Sequence, residues 1–355
     1  MNEDIRPFLV GRRVPLKAAM EQLEKTEERI LFVVEDNGVI HGTLTDGDIR
    51  RWILAQGVVE GTAEQVCNRA PYSVPPGYDI EAVKQAMIGR KLGCVPVVGL
   101  DGLIVELLFW DRLFGDGQES AAPRLIDVPV LIMAGGKGTR LDPFTKILPK
   151  PLIPLGDKTV IETIMDSFVR HGVSRFYVSV HAKARIVKSY FEELNPPFGI
   201  EYLEEDEPLG TAGALRFLEG RIDGTFLVTN CDVVIKADFA ALVEHHRREA
   251  NAITIVASLR SYAIPYGICE IESGGRFLGI REKPEYRFLV NTGMYALEPS
   301  VLSYIPRGRM YHTTQLIDDV KASGGRVGVF PISETAWMDT GEWVEYRRTL
   351  QQFGL

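Results

Sequence analysis

The stretch that decides the fold is LIMAGGKGTRLDPFTKILPKPL, which runs from Leu131 to Leu152. It begins as an apolar strand, breaks into glycines, and then carries cations and prolines in quick succession. Glycines let a backbone approach phosphate oxygens closely and present its N–H groups to them. Arg140 can hold a phosphate through two parallel hydrogen bonds, whereas Lys150 supplies a compact point charge. The stretch therefore predicts a loop that wraps the phosphates of a nucleoside triphosphate.

Two familiar phosphate-binding motifs do not fit this loop. A P-loop requires a lysine directly after its last glycine, but here Lys137 precedes Gly138. A dinucleotide fingerprint requires a third glycine where Leu141 stands. A tight turn with solvated cations is the remaining alternative. The ordered run of glycines, cations and prolines argues against that alternative.

The composition of the whole chain narrows the class of protein. Its 355 residues, 45% hydrophobic and 25% charged, predict about two globular domains. A net charge of −8 argues against a nucleic-acid partner. The acidic N-terminus has no apolar signal core, and no apolar run approaches the roughly 20 residues that span a bilayer. We therefore expect a cytoplasmic protein with no membrane partner, whose four cysteines are buried free thiols: Cys67, Cys94, Cys231 and Cys269.

Strand and helix patterns alternate after the glycine loop. VIETIMDSFVRHG has apolar residues at helical spacing and ends at Gly172, and RFYVSV, GIEYLEE and TFLVTNCD are typical of strands. The pattern predicts βαβ units around a mostly parallel sheet, which binds ligands beyond the carboxyl ends of its strands. ICEIESGGRFLGIREK predicts a hairpin, so the sheet should be mixed.

A weak internal repeat precedes the loop. The first copy, ILFVVEDNGVIHGTLTDGDIRRWI, starts at Ile30, and the second, CVPVVGLDGLIVELLFWDRLF, starts at Cys94, with Asp48 matched to Asp111. The segment Leu113 to Val128 is rich in Gly, Ser, Ala, Pro and charge, which is typical of a linker. The predicted organisation is a repeated module, a linker and a catalytic domain: 1–118 (repeats about 1–60 and 61–118), 119–126 and 127–355.

GGKGTRLDPFTKILPKPL resembles the signature of the sugar-1-phosphate nucleotidyltransferases, GGxGTRLxPxTxxxPKPL, and TNCD, REKP, NTGMY and WMDTG follow in that family's order. The resemblance implies an α/β fold, a doubly wound mixed sheet of the nucleotide-diphospho-sugar transferase type, preceded by a small α/β CBS pair. It implies attack of a sugar 1-phosphate on the α-phosphorus of an NTP, which gives an NDP-sugar and pyrophosphate. The reaction needs no general base, and His245 and His246 are assigned to a solvated helix face.

The resemblance also implies roles for individual residues. Arg140 would stabilise the leaving pyrophosphate, Lys150 would bridge the reacting phosphates, and Lys283 would hold the sugar 1-phosphate. The Mg²⁺ cofactor would be bound by Asp232 and Asp339. The nucleotide would contact Ala134, Gly135, Gly136, Gly138, Thr139, Glu205, Gly210 and Thr211. The sugar would contact Gly267, Glu282, Asn291 and Thr292.

The segment from Tyr202 to Leu215 resembles the family's base-reading strip. Glu205 stands where uridylyl and thymidylyl enzymes commonly carry glutamine, five residues before Gly210. A carboxylate accepts hydrogen bonds and donates none, which suits the N1–H and N2–H₂ groups of guanine. This favours GTP over UTP and dTTP, although Glu204 to Glu207 could also form a solvated acidic loop.

GTLTDGDIRR in the front module resembles the CBS ligand motif, in which Thr45 and Asp48 would hold an adenine or guanine nucleotide. The second copy has Leu108 and Val105 in place of the hydroxyl and the glycine, so one site at most should be competent. A structural role, with a homodimer or higher oligomer, is the alternative. The domain order resembles guanylyltransferases that make GDP-glucosamine for bacterial legionaminic acid biosynthesis, which implies GTP and glucosamine 1-phosphate. Mannose 1-phosphate, UTP or dTTP, and an inactive nucleotide sensor remain alternatives.

Overall fold

The computed structural model describes residues 3–26, 30–45, 47–49, 51–52, 60–114 and 124–352. The chain divides into two compact units, of which the first comprises Met1–Leu113 and Leu259–Phe288 and the second comprises Phe114–Ser258 and Leu289–Leu355. The predicted catalytic range 127–355 differs from the second unit because Leu259–Phe288 belongs to the first. Most of the predicted linker lies outside the described residues.

The first unit is built from short strands and helices. Its strands are β1 (Leu9–Gly11), β2 (Ile30–Val34), β3 (Ile40–Thr45), β4 (Cys94–Val98), β5 (Ile104–Phe109), and, further along the chain, β14 (Ile268–Ile271) and β15 (Phe277–Arg281). Its helices are α1 (Leu16–Lys25), α2 (Ala63–Val66), α3 (Ile80–Arg90) and α4 (Trp110–Phe114). β14 and β15 form the antiparallel hairpin that the sequence predicted.

The internal repeat is visible in the strand register. β2 pairs antiparallel with β3 from Ile30 opposite Thr45, and β4 pairs with β5 from Cys94 opposite Phe109, with a register shift at the equivalent place in each hairpin. The residue equivalent to Thr45 is therefore Phe109, and the expected match at Leu108 is wrong by one position. The second copy has an aromatic ring where the first has a hydroxyl.

The second unit contains the glycine loop and the main sheet. Its strands are β6 (Val130–Met133), β7 (Pro154–Leu155), β8 (Lys158–Thr159), β9 (Arg175–Val180), β10 (Gly199–Glu204), β11 (Phe226–Asn230), β12 (Val233–Ile235), β17 (Val327–Ile332) and β18 (Trp337–Asp339), with β13 (Ile253–Ala263) and β16 (Glu285–Leu297) shared between the two units. Its helices are α5 (Phe144–Ile147), α6 (Val160–Val169), α7 (Ala184–Leu194), α8 (Phe239–Arg248), α9 (Thr313–Ala322) and α10 (Trp343–Gln352).

In the described part of the chain, the main sheet has seven strands in the order β10-β9-β6-β11-β16-β13-β17. Strands β10, β9, β6 and β11 are parallel, whereas β16 is antiparallel to β11, which confirms the predicted mixed α/β sheet. In the sheet, β9 lies on one side of β6 and β11 lies on the other side. Such a reversal of strand order opens a crevice at the carboxyl ends of the two strands. The glycine loop and Asp232 both follow these ends.

Apolar side chains alternate between the two faces of this sheet. In β6, Val130 and Ile132 point into one hydrophobic cluster while Leu131 points into the other. The first cluster includes residues of α6, α7 and α8, and the second includes residues of α9 and of the 3₁₀ helix Gly213–Leu218. Both faces are therefore covered, as in a doubly wound sheet.

Two local predictions are corrected. TAGALRFLEG forms a short 3₁₀ helix instead of an α-helix, since Gly213 lies tightly against Leu209 and Gly220 turns into the left-handed region. His246 is fully buried, whereas the sequence assigned it to a solvated face. Its ring nitrogens lie 2.8 Å from Thr254 Oγ1 and 3.1 Å from Glu298 Oε1. Both nitrogens of this histidine on α8 therefore have hydrogen-bond partners inside the protein. Burial lowers the pKa of His246 although Glu298 opposes the shift.

All four cysteines carry free thiols. The expectation of burial holds for Cys94 and Cys231, whereas Cys67 is partly buried and Cys269 is exposed because it lies on the β14–β15 hairpin. No helix among the described residues has the length and apolar character that crossing a membrane requires.

Candidate active site

The glycine loop presents free backbone donors at the carboxyl end of β6. The Ala134 N–H donates to the Ser179 carbonyl at 3.0 Å and so closes the strand. In the described part of the chain, the next three N–H groups, of Gly135, Gly136 and Lys137, donate to no other residue. Successive free N–H groups of this kind form a concavity that binds anions. The loop can therefore bind phosphate oxygens through its backbone.

The loop folds back so that Lys150 packs against its glycines. Gly138 has φ +68°, and a Cβ added there would lie 2.9 Å from the Lys150 Cβ. Thr145 Oγ1 donates to the Gly138 carbonyl at 2.9 Å, and Lys183 Nζ donates to the Thr145 carbonyl at 2.8 Å. These contacts hold Lys150 beside the anion-binding N–H groups. Lys183 was missed by the sequence reasoning because its contact joins distant parts of the chain.

Lys150 and Asp232 form an ion pair at the centre of the site. Each side chain is 11% exposed, and the Lys150 ammonium donates to Asp232 Oδ2. Burial opposes protonation of Lys150, yet its pKa is raised because the Asp232 carboxylate lies beside the ammonium and accepts its hydrogen bond. Burial raises the pKa of the Cys231 thiol to about 12, so the thiol is neutral and Asp232 carries the countercharge. The pair places one fixed cation and one carboxylate at the end of β11.

Asp339 lies next to Asp232 because β18 pairs with β12. Asp339 stands opposite Val233, and a Cβ added to Gly341 would lie 2.5 Å from Asp232 Oδ2 and 3.0 Å from Asp339 Oδ1. Burial raises the pKa of Asp339, the Gly341 N–H lowers it through a 2.6 Å hydrogen bond, and the like charge of Asp232 raises it. Two carboxylates that share so small a space favour a bound cation.

These two carboxylates fit the predicted magnesium site. Oxygen donors suit Mg²⁺, which usually takes one or two carboxylates and completes its shell with water and substrate phosphates. Among the described residues there is no cluster of three or more His, Cys, Asp or Glu side chains that could hold a metal. Asp232 and Asp339 would therefore hold Mg²⁺ only together with water or phosphate oxygens. The presence of Mg²⁺ at this site stays a prediction.

Arg140 lies at the open side of the same site. Its guanidinium Nη1 donates to Glu342 Oε1 at 2.9 Å, and both side chains are more than half exposed. The hydrogen bond to Glu342 raises the pKa of Arg140. Arg140 is thus a charged, accessible group with a carboxylate partner that the sequence reasoning did not identify.

Glu205 is buried against the glycine loop. Glu205 is 7% exposed, and its Oε2 accepts a 2.9 Å hydrogen bond from the Leu209 N–H. Burial raises the pKa of Glu205, although the hydrogen bond from Leu209 opposes the shift. The alternative of a solvated acidic loop therefore does not hold for Glu205 itself, whereas Glu204, Asp206 and Glu207 are exposed.

His181 is a second residue at this end of the site that sequence reasoning missed. Its Nδ1 lies 2.8 Å from the Glu205 carbonyl oxygen. Because a carbonyl oxygen only accepts, Nδ1 carries the proton of the ring in this contact. His181 follows β9 directly and thereby fixes the backbone that carries Glu205.

Replacing Gly135 with alanine is expected to destabilise the protein by about 1–3 kcal/mol, because the new methyl group overpacks the site. The added Cβ would lie 2.4 Å from Glu205 Oε1. The matched control is Gly136→Ala, where nothing lies within 4 Å of the added Cβ. Chemical denaturation of both variants checks the prediction. Equal stability of the two variants would show that Glu205 does not pack against Gly135.

The remaining predicted nucleotide residues lie on two loops. Thr139 is exposed at the start of a 3₁₀ helix that follows the glycine loop. Gly210 has φ +81°, and a Cβ there would lie 2.7 Å from the Tyr311 carbonyl oxygen. The Thr211 Oγ1 accepts from the Thr313 N–H at 3.0 Å, so it already caps the start of α9. Nucleotide contacts of these residues stay predictions.

The predicted sugar residues fall into two pairs. Asn291 and Thr292 lie on β16 in the second unit, where Asn291 Nδ2 donates to the Tyr295 hydroxyl at 2.8 Å and Thr292 Oγ1 donates to the Val256 carbonyl at 2.8 Å. Gly267 and Glu282 lie together in the first unit, as described next. The hydroxyl of Thr292 is therefore used inside the sheet, and Asn291 holds the more accessible position of its pair.

Gly267 and Glu282 lie on either side of the β14–β15 hairpin. A Cβ added to Gly267 would lie 2.7 Å from Glu282 Oε2, so the glycine makes room for this carboxylate. Lys283 follows with φ +40°, and its backbone N–H donates to the Tyr266 carbonyl at 3.2 Å. The structure thus brings Gly267 and Glu282 together and places Lys283 directly after them.

Comparison with known proteins identifies the family. A model of the nucleotidyl transferase family matches residues 129–353, which is more than half of the chain. The chain belongs to this family. A model of the CBS domain matches residues 3–55. The nucleotidyl transferase match begins just before β6 and includes the glycine loop, Lys150, Asp232 and Asp339.

Similar proteins include transferases for more than one nucleotide. A UTP–glucose-1-phosphate uridylyltransferase of Synechocystis sp. is 29% identical over 241 residues, which are 62% of this chain and 62% of the relative. A mannose-1-phosphate guanyltransferase of Aspergillus fumigatus is 34% identical over 224 residues, which are 60% of each chain. The chain therefore spans about three fifths of the length of these curated relatives. HddC from Yersinia pseudotuberculosis superposes with a TM-score of 0.51 at 24% identity, over 64% of this chain and 100% of that one, which shows the fold alone.

The CBS region of the chain contains a cavity of about 250 Å³. Thr45 and Asp48 line it, together with Asn68 and Tyr72. Asp48 Oδ2 accepts from the Thr45 N–H at 2.9 Å and from its hydroxyl at 2.6 Å, and Arg51 pairs with the other carboxylate oxygen. The two predicted ligand residues therefore meet at one cavity. A nucleotide ligand there stays a prediction.

Proposed function

We propose that this chain transfers a nucleotidyl group from an NTP to a sugar 1-phosphate and releases pyrophosphate. The observation that carries the proposal is the arrangement at the crevice between β6 and β11. Free N–H groups, the Lys150–Asp232 pair and Asp339 converge there. The printed names of the relatives, a uridylyltransferase and a guanyltransferase of sugar 1-phosphates, support the same reaction class.

The proposed chemistry depends on positioning and charge neutralisation. A sugar 1-phosphate is already an anionic nucleophile at neutral pH, so the protein need not remove a proton from it. The residues must bring two polyanions together in line, which dominates catalysis of phosphoryl transfer. Lys150 would contact the reacting phosphates, and Arg140 would contact the pyrophosphate. Asp232 and Asp339 would hold Mg²⁺, which neutralises phosphate charge when bound.

For the nucleotide we favour GTP, and for the sugar glucosamine 1-phosphate. Burial of Glu205 beside the glycine loop supports a base-reading carboxylate, because guanine offers two adjacent donors and uracil only one between two acceptors. The guanyltransferase relatives support the same nucleotide. The sugar, and a place in legionaminic acid biosynthesis, rest on the resemblance of the domain order alone. Mannose 1-phosphate is the alternative sugar, and UTP or dTTP the alternative nucleotides.

The deciding experiment offers each NTP with Mg²⁺ and a panel of sugar 1-phosphates and records pyrophosphate release. We expect turnover with GTP and a hexose 1-phosphate. No turnover with any pair would refute the proposed activity. Turnover with UTP or dTTP but not with GTP would retain the activity and reject the proposed role of Glu205.

Glu205→Gln is expected to lower the preference for GTP over UTP by about 10- to 100-fold, because an amide presents one acceptor and one donor to the base. The measurement is the ratio of kcat/KM values for the two nucleotides. Glu207→Gln, on the exposed part of the same loop, is the matched control and should leave the ratio unchanged. An unchanged ratio for Glu205→Gln would show that the carboxylate only packs against Gly135.

A further inference from the structure

Glu342 binds the guanidinium of Arg140, which in the proposed reaction would bind pyrophosphate. Glu342 Oε1 accepts a single 2.9 Å hydrogen bond from Arg140 Nη1. The Arg140 side chain is 63% exposed and that of Glu342 is 56% exposed. Ion pairs this exposed are weak, because water screens the charges and two long side chains must be ordered. A stronger anion can therefore exchange with Glu342.

The position of Glu342 is fixed by its neighbours on both sides. Before it, the N–H and the hydroxyl of Thr340 donate to the Asp232 carbonyl at 2.8 Å and 3.0 Å. After it, Trp343 Nε1 donates to the Asp142 carbonyl at 3.0 Å. The turn that carries Glu342 is thus bound to the end of β11 and to the signature loop. The backbone that carries Glu342 is therefore held beside the signature loop, where Arg140 lies.

Phosphate is the better partner for this guanidinium. A phosphate accepts two parallel hydrogen bonds from an arginine, whereas the contact with Glu342 uses one. The free N–H groups of the glycine loop and Lys150 would attract the same triphosphate from the other side. Binding of the triphosphate would therefore release Glu342 from Arg140.

We propose that Glu342 is a positioning residue that holds Arg140 before the triphosphate binds, competes with phosphate for its guanidinium, and takes it back when pyrophosphate leaves. This inference rests on the proposed function, because it needs Arg140 to bind phosphates. Competition of this kind predicts the direction in which the affinity for phosphates changes when the carboxylate is removed. Removing the carboxylate should tighten the binding of pyrophosphate and of the NTP and slow the release of pyrophosphate.

The test compares Glu342→Gln with the full wild-type chain. Calorimetric titration with inorganic pyrophosphate should give a Kd lower by roughly 2- to 5-fold, the range that exposed ion pairs support. The KM for GTP should fall by a similar factor, and the KM for the sugar 1-phosphate should stay the same. Glu345→Gln, in the first turn of α10, is the matched control and should change neither value. An equal or higher pyrophosphate Kd in Glu342→Gln would overturn the inference.

A second pair of variants, both carrying Arg140→Gln, separates competition for Arg140 from general repulsion between Glu342 and pyrophosphate. In an Arg140→Gln chain, the further change Glu342→Gln should leave the pyrophosphate Kd unchanged, because the contested guanidinium is gone. A persistent gain in affinity would overturn the inference. Pyrophosphate binding needs no turnover. Failure of the proposed function would show as no activity with any substrate pair, and failure of this inference as equal pyrophosphate Kd values.

Discussion

Asp232→Asn is expected to lower kcat by on the order of 10²–10³-fold, the range for removing one group that stabilises transition-state charge. Asparagine keeps the shape of the side chain but removes the charge that pairs with Lys150 and would hold Mg²⁺. The carboxylates of Asp232 and Asp339 both lie next to Gly341, and Asp232 is thus one of the two predicted metal ligands that lie together there. Pyrophosphate release under saturating substrates measures the effect.

The control for this variant is Asp206→Asn, which changes an exposed carboxylate on the Glu205 loop. Its kcat should equal that of the wild type. If Asp232→Asn kept full activity, Asp232 would not be a metal ligand, and the proposed catalytic arrangement would have to be abandoned. A thermal unfolding curve for each variant separates loss of chemistry from loss of folded protein.

Lys150→Met is expected to produce the largest loss of stability. Methionine preserves the length of the side chain but leaves Asp232, only 8% exposed, without its countercharge and beside Asp339. Removing one partner of a buried pair destabilises a protein by about 3–5 kcal/mol. For a unit of this size that corresponds to a decrease in Tm of roughly 6–20 °C. Calorimetric scans with the full chain measure the change.

The double variant Lys150→Met with Asp232→Asn tests whether the unpaired charge of Asp232 causes the loss of stability. It removes both charges, so we expect it to recover most of the Tm lost in Lys150→Met while remaining inactive. A double variant no more stable than Lys150→Met would show that the unpaired charge of Asp232 is not the cause of the lost stability.

The fold of the second unit could be predicted from sequence because its signals are local. The short apolar runs in β6, β9 and β11 and the helical spacing in α6 follow from short-range geometry. The signature loop was located by its glycines and cations, and the meeting of Asp232 with Asp339 was implied by family resemblance, whereas the Lys150–Asp232 ion pair was not predicted. The roles of the predicted site residues await the experiments above.

Two features that sequence reasoning did not find depend on tertiary contacts. The burial of His246 follows from Thr254 and Glu298, which lie on other elements. The partnership of Arg140 with Glu342 joins residues about two hundred positions apart. No periodicity or composition signal encodes such pairs, because tertiary packing creates them.

The four thiols differ in a way that matters for chemical labelling. Cys231 is buried beside Lys150, and burial raises its pKa to about 12, which keeps the thiol protonated and unreactive at neutral pH. Cys269 is exposed on the β14–β15 hairpin, next to the segment that carries Glu282. A maleimide dye would therefore attach at the hairpin in preference to Cys231 beside Lys150. A fluorophore placed there would report on ligand-induced changes around the hairpin while leaving Lys150 and Asp232 unmodified.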